Sequence, residues 1–184
     1  MANTPERTPR GPSVRPGRPS YGRRARHRTG GSVIELRELR PNDRSAVQAS
    51  YGYESVRFLD RGPMGEVEAM EYIHRAMAWS TDRPRLRYVF GIDVNGDLVG
   101  VVKLNVVKDD SVLSYILRRN SWGRGYATAA VLDLMDFAFD ALRVSTVHAK
   151  HRVDNAASGR VLVKAGFTLA GTAHGFSRYR AKRP

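Results

Sequence analysis

The chain has 184 residues, 41% of them hydrophobic, which suits one domain with a buried core. It contains no cysteine, so disulfide bonds, thiolate metal sites and a cysteine nucleophile are excluded. The formal net charge is +13, and no apolar stretch is long enough to cross a bilayer or to serve as a signal peptide, so we expect a cytoplasmic protein with no membrane partner.

The first 31 residues concentrate positive charge, with eight arginines against a single glutamate. This segment is rich in proline and glycine and has no hydrophobic period, so we predict a disordered basic tail at 1–31 and a folded domain at 32–184. A tail of this charge can attract nucleic acid, ribosomes or an anionic surface without sequence specificity.

The domain begins with a predicted strand followed by two predicted helices. Residues 33–39 form the apolar strand, and Pro41-Asn42-Asp43 then supplies residues suited to a helix start. A second helix is predicted at 66–79 from apolar residues at three-to-four spacing. These residues are Val67, Met70, Ile73, His74 and Met77.

The rest of the domain alternates strands and helices. Residues 86–94 and 98–107 are predicted to form antiparallel strands. Asn95-Gly96 joins them, and this dipeptide tolerates the positive φ angles of a tight turn. Later strands are predicted at 111–117, 144–149, 167–170 and 174–180, and helices after Gly125 and at 154–165. This order indicates an α/β fold with a mixed sheet.

A glycine-bearing turn at 122–128 (WGRGYAT) lies between a predicted strand and an amphipathic helix. Unpaired backbone N–H groups at a helix N-terminus bind phosphate, and glycine lets the phosphate approach them closely. Alone, a G-x-G is more often an ordinary turn. No Gly-Lys-Ser/Thr follows, and Thr128 stands at the third glycine position of a dinucleotide fingerprint, which excludes those two phosphate motifs.

Residues 120–125 resemble the coenzyme A loop of the GNAT superfamily of acetyltransferases, Q/R-x-x-G-x-G/A, and depart from it only at Asn120. The run WGRGYATAAV is especially similar to the branch that includes the ribosomal-protein N-terminal acetyltransferases. A second segment, from Asn155 and Ser158 to Lys164 and Phe167, resembles that branch's N-x-x-S...K-x-G-F element. The resemblance extends over 33–172 and implies a mixed, mostly antiparallel central sheet flanked by helices. It also implies acetyl-CoA as co-substrate, an amine acceptor and no metal.

The resemblance implies a set of site residues. Ser158 would protonate or hydrogen-bond the departing thiolate, with Tyr115 and Tyr126 as substitutes. A backbone N–H near Ile116 would polarise the thioester carbonyl. The residues expected to bind the cofactor are Ile116, Leu117, Arg118, Gly123, Arg124, Gly125, Tyr126, Ala127, Thr128 and Asn155. The residues themselves leave another interpretation open for two of these positions. Asn155 is equally suited to cap a helix, and Ser158 is equally suited to hydrogen-bond its own helix backbone.

The general base is the weakest part of the resemblance, because Val112 occupies the position where related enzymes often carry a glutamate. Asp109, Asp110, His148 and His151 are candidates for the role, with turn residues and structural imidazoles as the alternative interpretations. An acceptor amine with a lowered pKa, or proton loss through water, would need no side-chain base. Protein N-termini and small amines stay open as acceptors, and a monomer and a homodimer are both compatible with the sequence. Two other readings are a coenzyme A-binding protein without turnover and a nucleic-acid-binding module that uses the tail.

Overall fold

A computed structural model describes residues 27–29 and 31–184. In this part of the chain the elements are β1 (His27–Thr29), β2 (Ser32–Glu38), α1 (Arg44–Ser50), α2 (Tyr53–Val56), α3 (Glu66–Thr81), β3 (Arg87–Val94), β4 (Asp97–Val107), β5 (Asp110–Leu117), α4 (Tyr126–Asp136), β6 (Thr146–Arg152), α5 (Ala156–Lys164), β7 (Thr168–Ala173) and β8 (Phe176–Lys182).

The strands form one sheet in the order β1-β2-β3-β4-β5-β6-β8-β7, and β5–β6 is its parallel pair. That pairing extends only from Asp110 to Val112 on β5, opposite Thr146 to His148 on β6. Beyond it, β5 stays paired with β4 up to Leu117, and β6 stays paired with β8 up to Arg152. The two strands therefore separate and leave a gap in the middle of the sheet.

Two apolar cores hold the sheet between its helices. In the first core, residues of α4 and α5 such as Leu134 and Leu162 pack on Phe90, Leu104 and Val147. In the second core, residues of α1 and α3 pack on the opposite face, against Val89, Val101 and Ile116. The second core contains no residue of β6 or β8 among those the structure describes, so the helices leave that part of this face uncovered.

The predicted hairpin is confirmed: Asn95 and Gly96 both have positive φ, at 54° and 91°. The predicted face of α3 is confirmed only at Ile73 and is otherwise wrong, although the helix itself is present. Its buried residues are Ala69, Tyr72, Ile73 and Ala76, whereas Val67 is 65% exposed. The buried face thus combines two alanines with Tyr72 and Ile73, whereas Val67, Met70 and Met77 face outward.

The N-terminal boundary also differs from the prediction. Residues His27–Thr29 form β1 and pair with β2, so the described chain joins the sheet before Ser32. Residues 1–26 lie outside the described residues, and their predicted disorder stays a prediction. None of the described helices has the length and apolar composition needed to cross a membrane.

A cluster of charged side chains joins β2 to the start of α1. The two terminal nitrogens of Arg37 donate to the carboxylate of Asp43 at 2.8 Å, and its Nε donates to Asp93 at 2.8 Å. Burial opposes ionisation of Asp43, but hydrogen bonds from Arg37 and from the Arg40 amide outweigh it and lower its pKa. The stabilisation is thus present above the ordinary carboxyl pKa and is lost as the pH falls through the lowered value.

Replacing Arg37 with methionine is expected to destabilise the fold by about 3 kcal/mol, because two largely buried carboxylates lose their partner. Urea unfolding at pH 7 measures the change. The matched control is Arg44→Met, since Arg44 pairs with Glu66 at 3.0 Å but with side chains 48% and 63% exposed; this variant should lose less than about 1 kcal/mol. Equal losses in the two variants would contradict the assignment.

Candidate active site

Two hydroxyls from distant parts of the chain meet beside the gap between β5 and β6. Tyr115 projects from β5 toward α5, and its hydroxyl lies 2.8 Å from the Ser158 Oγ and 3.1 Å from the Ser158 carbonyl oxygen. Burial raises the pKa of Tyr115 to about 12, although the hydrogen bond from Ser158 opposes the rise. The tyrosine therefore stays protonated at neutral pH and holds a proton at the gap.

Asn155 positions Ser158 in the first turn of α5. Its side-chain oxygen accepts a hydrogen bond from the Ser158 amide at 3.1 Å, which is the geometry of a helix N-cap. The capping interpretation of Asn155 is thus what the structure shows. The cap uses only the side-chain oxygen, and the amide nitrogen of the same side chain stays available to donate.

Replacing Asn155 with aspartate separates these two roles, because aspartate keeps an oxygen for the cap but has no amide donor. If the amide nitrogen binds the pantetheine arm, Asn155→Asp should raise the KM for acetyl-CoA about tenfold with unchanged thermal stability. Asn155→Ala should raise the KM and also destabilise the helix by about 1 kcal/mol. An aspartate variant with wild-type KM would restrict Asn155 to capping.

The glycine turn presents backbone amides at the start of α4. Gly123 and Gly125 have φ angles of 75° and 79°, and the first intrahelical bond is donated by the Ala129 amide to the Gly125 carbonyl at 3.1 Å. The amides that precede Ala129 in the helix therefore have no partner within it. A Cβ at Gly123 would meet no atom within 4 Å, so the turn is open on that side. At Gly125 a Cβ would lie 2.7 Å from the Thr29 Cγ2, so β1 covers this side.

Strand parity identifies which amides of β5 face the gap. The Arg118 amide donates to the Val99 carbonyl on β4 at 3.0 Å, and alternate residues of a strand point their amides to the same side. The Ile116 amide therefore points to β4, and the amides of Tyr115 and Leu117 point to the gap. The Ile116 amide is therefore directed away from the gap, and the predicted carbonyl-polarising role near Ile116 stays a prediction for which the Leu117 amide has the required direction.

Side chains around the end of β5 hold this geometry. The Leu117 carbonyl accepts hydrogen bonds from the Ser55 Oγ at 2.7 Å and from the Trp122 Nε1 at 2.9 Å. Arg118 forms an ion pair with Asp97 and donates to the Ser121 Oγ at 3.2 Å. Arg118 is therefore tied to protein groups, and Trp122 packs and anchors the turn. Neither Ser55 nor Trp122 was predicted to support the site, because their partner is a backbone carbonyl.

The candidates for the general base are divided between the two faces of the sheet. His151 is buried on the first-core face, where Nδ1 lies 2.7 Å from the Arg152 carbonyl and Nε2 lies 3.5 Å from the Tyr179 hydroxyl. His148 is exposed on the opposite face, with Nε2 3.4 Å from an Asp110 carboxylate oxygen. In the parallel register His148 lies directly beside Val112. An imidazole therefore stands next to the position where a glutamate was expected.

The sequence from residue 34 to residue 168 matches the profile of the acetyltransferase (GNAT) domain. The chain belongs to the GNAT family. This membership confirms the predicted fold class, and it confirms an acetyltransferase that uses acetyl-CoA as co-substrate. The predicted roles of individual residues in this GNAT protein stay predictions.

Similar proteins are consistent with this membership. An uncharacterized N-acetyltransferase, p20, of Bacillus licheniformis is 23% identical over 70% of this chain and 75% of its own length. The structure of Mycobacterium smegmatis RimJ in complex with CoA-disulfide superposes with a TM-score of 0.71, at 21% identity, over 86% of each chain. Spermidine N-acetyltransferase from Vibrio cholerae, in complex with CoA and spermine, gives a TM-score of 0.68 at 15% identity over 82% of this chain and 95% of that chain.

Proposed function

We propose that this GNAT protein transfers the acetyl group of acetyl-CoA directly to an amine. The observation that carries the proposal is the gap between β5 and β6, which has the Tyr115–Ser158 pair on one side and the glycine turn of α4 beyond its open end. The open space at Gly123 and the unpaired amides behind it fit a diphosphate. The gap fits an extended arm that runs along residues 116–118.

The residues around the gap supply what acyl transfer to an amine requires. The Leu117 amide points toward the gap and can donate to the oxyanion that forms when the amine nitrogen attacks the carbonyl carbon. As the carbon–sulfur bond breaks, the sulfur takes a proton from the Ser158 hydroxyl, and Tyr115 replaces that proton. His148, oriented by Asp110, takes the proton that the amine nitrogen loses. The acceptor is a protein N-terminus or a small amine.

Acceptor-dependent release of coenzyme A thiol tests the proposal. The purified chain is incubated with acetyl-CoA and, one at a time, with N-terminal peptides and small amines. Thiol release that requires an amine, together with an acetylated product in the mass spectrum, is the expected result. Tight acetyl-CoA binding without acceptor-dependent release would instead indicate a coenzyme A-binding protein without turnover.

The pH dependence of kcat provides a further prediction. Because burial raises the pKa of Tyr115 to about 12, its proton is present below that value and is lost only above it. We therefore expect kcat to rise as the acceptor amine deprotonates and then to stay level to about pH 10. A fall in kcat between about pH 7 and 9 that disappears in Tyr115→Phe would show that Tyr115 loses its proton in this range and would contradict its raised pKa.

A further inference from the structure

The alternation of side chains along β8 places its cations on one face of the sheet. Tyr179 and Ala181 belong to the first core, so Arg178 and Arg180 point to the opposite face, where both are exposed. On β6, Val147 and Ala149 belong to the first core in the same way. Lys150 therefore shares the face of Arg178 and Arg180.

Strand register brings these cations together. Lys150 lies opposite Arg178, and His148 lies opposite Arg180. On the other side of the gap, Lys103 of β4 lies opposite Ser114 of β5, again on the face of the second core. We call Lys103, Lys150, Arg178 and Arg180 the basic face.

The cations of the basic face are not neutralised within the described part of the chain. The acidic residues nearby have other partners: Asp110 lies 3.4 Å from His148, and Asp60 and Asp154 each lie 3.4 Å from Arg152. Lys150 stacks on the Phe176 ring at 4.6 Å. In residues 27–29 and 31–184, no carboxylate lies within 4 Å of a basic-face nitrogen, so the surface carries a net positive potential.

The basic face adjoins the candidate reaction centre. The His148–Asp110 pair lies on the same face of the sheet, at the point where β5 and β6 separate. The segment between α2 and α3 borders this face, because Asp60 reaches Arg152 at the end of β6. A polypeptide whose N-terminal amine enters the gap from this face can therefore extend across the cations.

We infer that the acceptor is a polypeptide whose free N-terminus is followed by acidic residues, and that the basic face binds those residues. This inference rests on the proposed acetyl transfer and names its substrate class. From β4 to β8 the basic face crosses three strand positions and the opening between β5 and β6. Its width is therefore more than roughly 14 Å, which an extended segment of about five or six residues can follow. A polyamine is disfavoured, because its charges repel those of the surface.

A nucleic acid is also a polyanion, but it binds single-strand sites largely by stacking its bases on aromatic rings. On the basic face the aromatic contact is Phe176, and its ring is already covered by Lys150. The position beside the reaction centre requires a ligand that carries a reactive amine, which an acidic N-terminal segment does. The test therefore includes RNA, so that RNA binding to the basic face can be distinguished from binding of an acidic peptide.

The test compares hexapeptides that begin with a free alanine and continue with Glu/Asp, Gln/Asn or Lys. At low ionic strength we expect kcat/KM to be at least about tenfold higher for the acidic peptide than for the neutral one, and to fall toward the neutral value as salt rises. The double variant K150E/R178E should abolish this preference. The control Arg75→Glu makes a charge reversal on the exposed surface of α3 and should keep it.

Equal kcat/KM for acidic and neutral peptides, or the same proportional loss for all peptides in K150E/R178E, would overturn the inference while leaving acetyl transfer intact. Absence of transfer to every peptide and to spermidine would instead overturn the proposed function. A short single-stranded RNA serves as competitor. If it binds the wild type and not K150E/R178E while acidic peptides show no preference, the basic face is a nucleic-acid surface and the inference is wrong.

Discussion

Tyr115→Phe is expected to lower kcat by about 10²-fold or more, with a change of less than about threefold in the KM for acetyl-CoA. The variant removes the proton that burial holds on the phenol, and it leaves the apolar ring in place. Ser158 would then have no neighbouring hydroxyl to replace the proton that it gives to the sulfur. Steady-state kinetics with saturating acceptor measures the effect.

A double-mutant cycle shows whether Tyr115 and Ser158 act as one unit. Their oxygens are 2.8 Å apart, so the loss of either interrupts the same proton path. We expect Ser158→Ala to lower kcat, and the double variant Y115F/S158A to be no slower than the slower single variant. Fully additive losses would mean that the two hydroxyls act separately.

Tyr88→Phe is the matched control for loss of a tyrosine hydroxyl in the first core. Tyr88 packs edge-on to Phe137 with ring centroids 5.2 Å apart, away from the gap. Its replacement is expected to keep kcat within about twofold of the wild type. A normal kcat in Tyr115→Phe, or an equal fall in Tyr88→Phe, would contradict the role of Tyr115.

Gly123→Val has the second large expected effect, a rise of at least about tenfold in the KM for acetyl-CoA with a smaller change in kcat. The side chain would fill the open space in front of the unpaired amides of α4, where a diphosphate is expected to bind. A tenfold loss of affinity corresponds to about 1.4 kcal/mol. A single hydrogen bond to a charged group can contribute about 3 kcal/mol, so the loss of one such bond is enough to cause it. Titration calorimetry with coenzyme A measures the affinity directly.

Gly166→Val is the control for the backbone strain that valine at a positive φ introduces. Gly166 ends α5 with a φ of 86°, and its Cβ would also meet no atom within 4 Å. Both variants place valine at a positive φ and should lose similar stability, but only Gly123→Val should lose coenzyme A affinity. Unchanged affinity in Gly123→Val would overturn the assignment of the turn.

Substitution of Gly125 is a less informative test of cofactor binding, because a side chain at this position disturbs the fold as well as the turn. A side chain there would collide with Thr29, whose Cγ2 lies 2.7 Å from the ideal Cβ position. Weaker binding in a bulky Gly125 variant would therefore report displacement of β1 as much as a blocked phosphate site.

The sequence predicted those features whose cause lies within a few residues. Asn95-Gly96 favours a tight turn because both residues tolerate a positive φ. The glycine turn before α4 is recognised from residues 120–125 alone. Asn155 caps the helix that positions Ser158 three residues later. Each of these signals is local, so a single sequence is enough to read it.

The apolar face of α3 shows where such local reasoning fails. Spacing alone allowed Val67, Met70 and Met77 to form the buried stripe, and the structure buries Ala69 and Ala76 instead. The choice depends on which side of the helix packs against α1 and β3, and the surface of those partners decides it. Hydrophobic periodicity does not contain this information.

The sequence by itself determined the family, the order of the elements apart from β1 and α2, and the residue types at the glycine turn. Only the tertiary structure decided that Tyr115 meets Ser158, that Leu117 rather than Ile116 turns its amide to the gap, and that His148 stands beside Val112. These outcomes depend on strand register and parity across the sheet, where one residue of shift exchanges the two faces. The same register collects the lysines and arginines of three separate strands into one basic face.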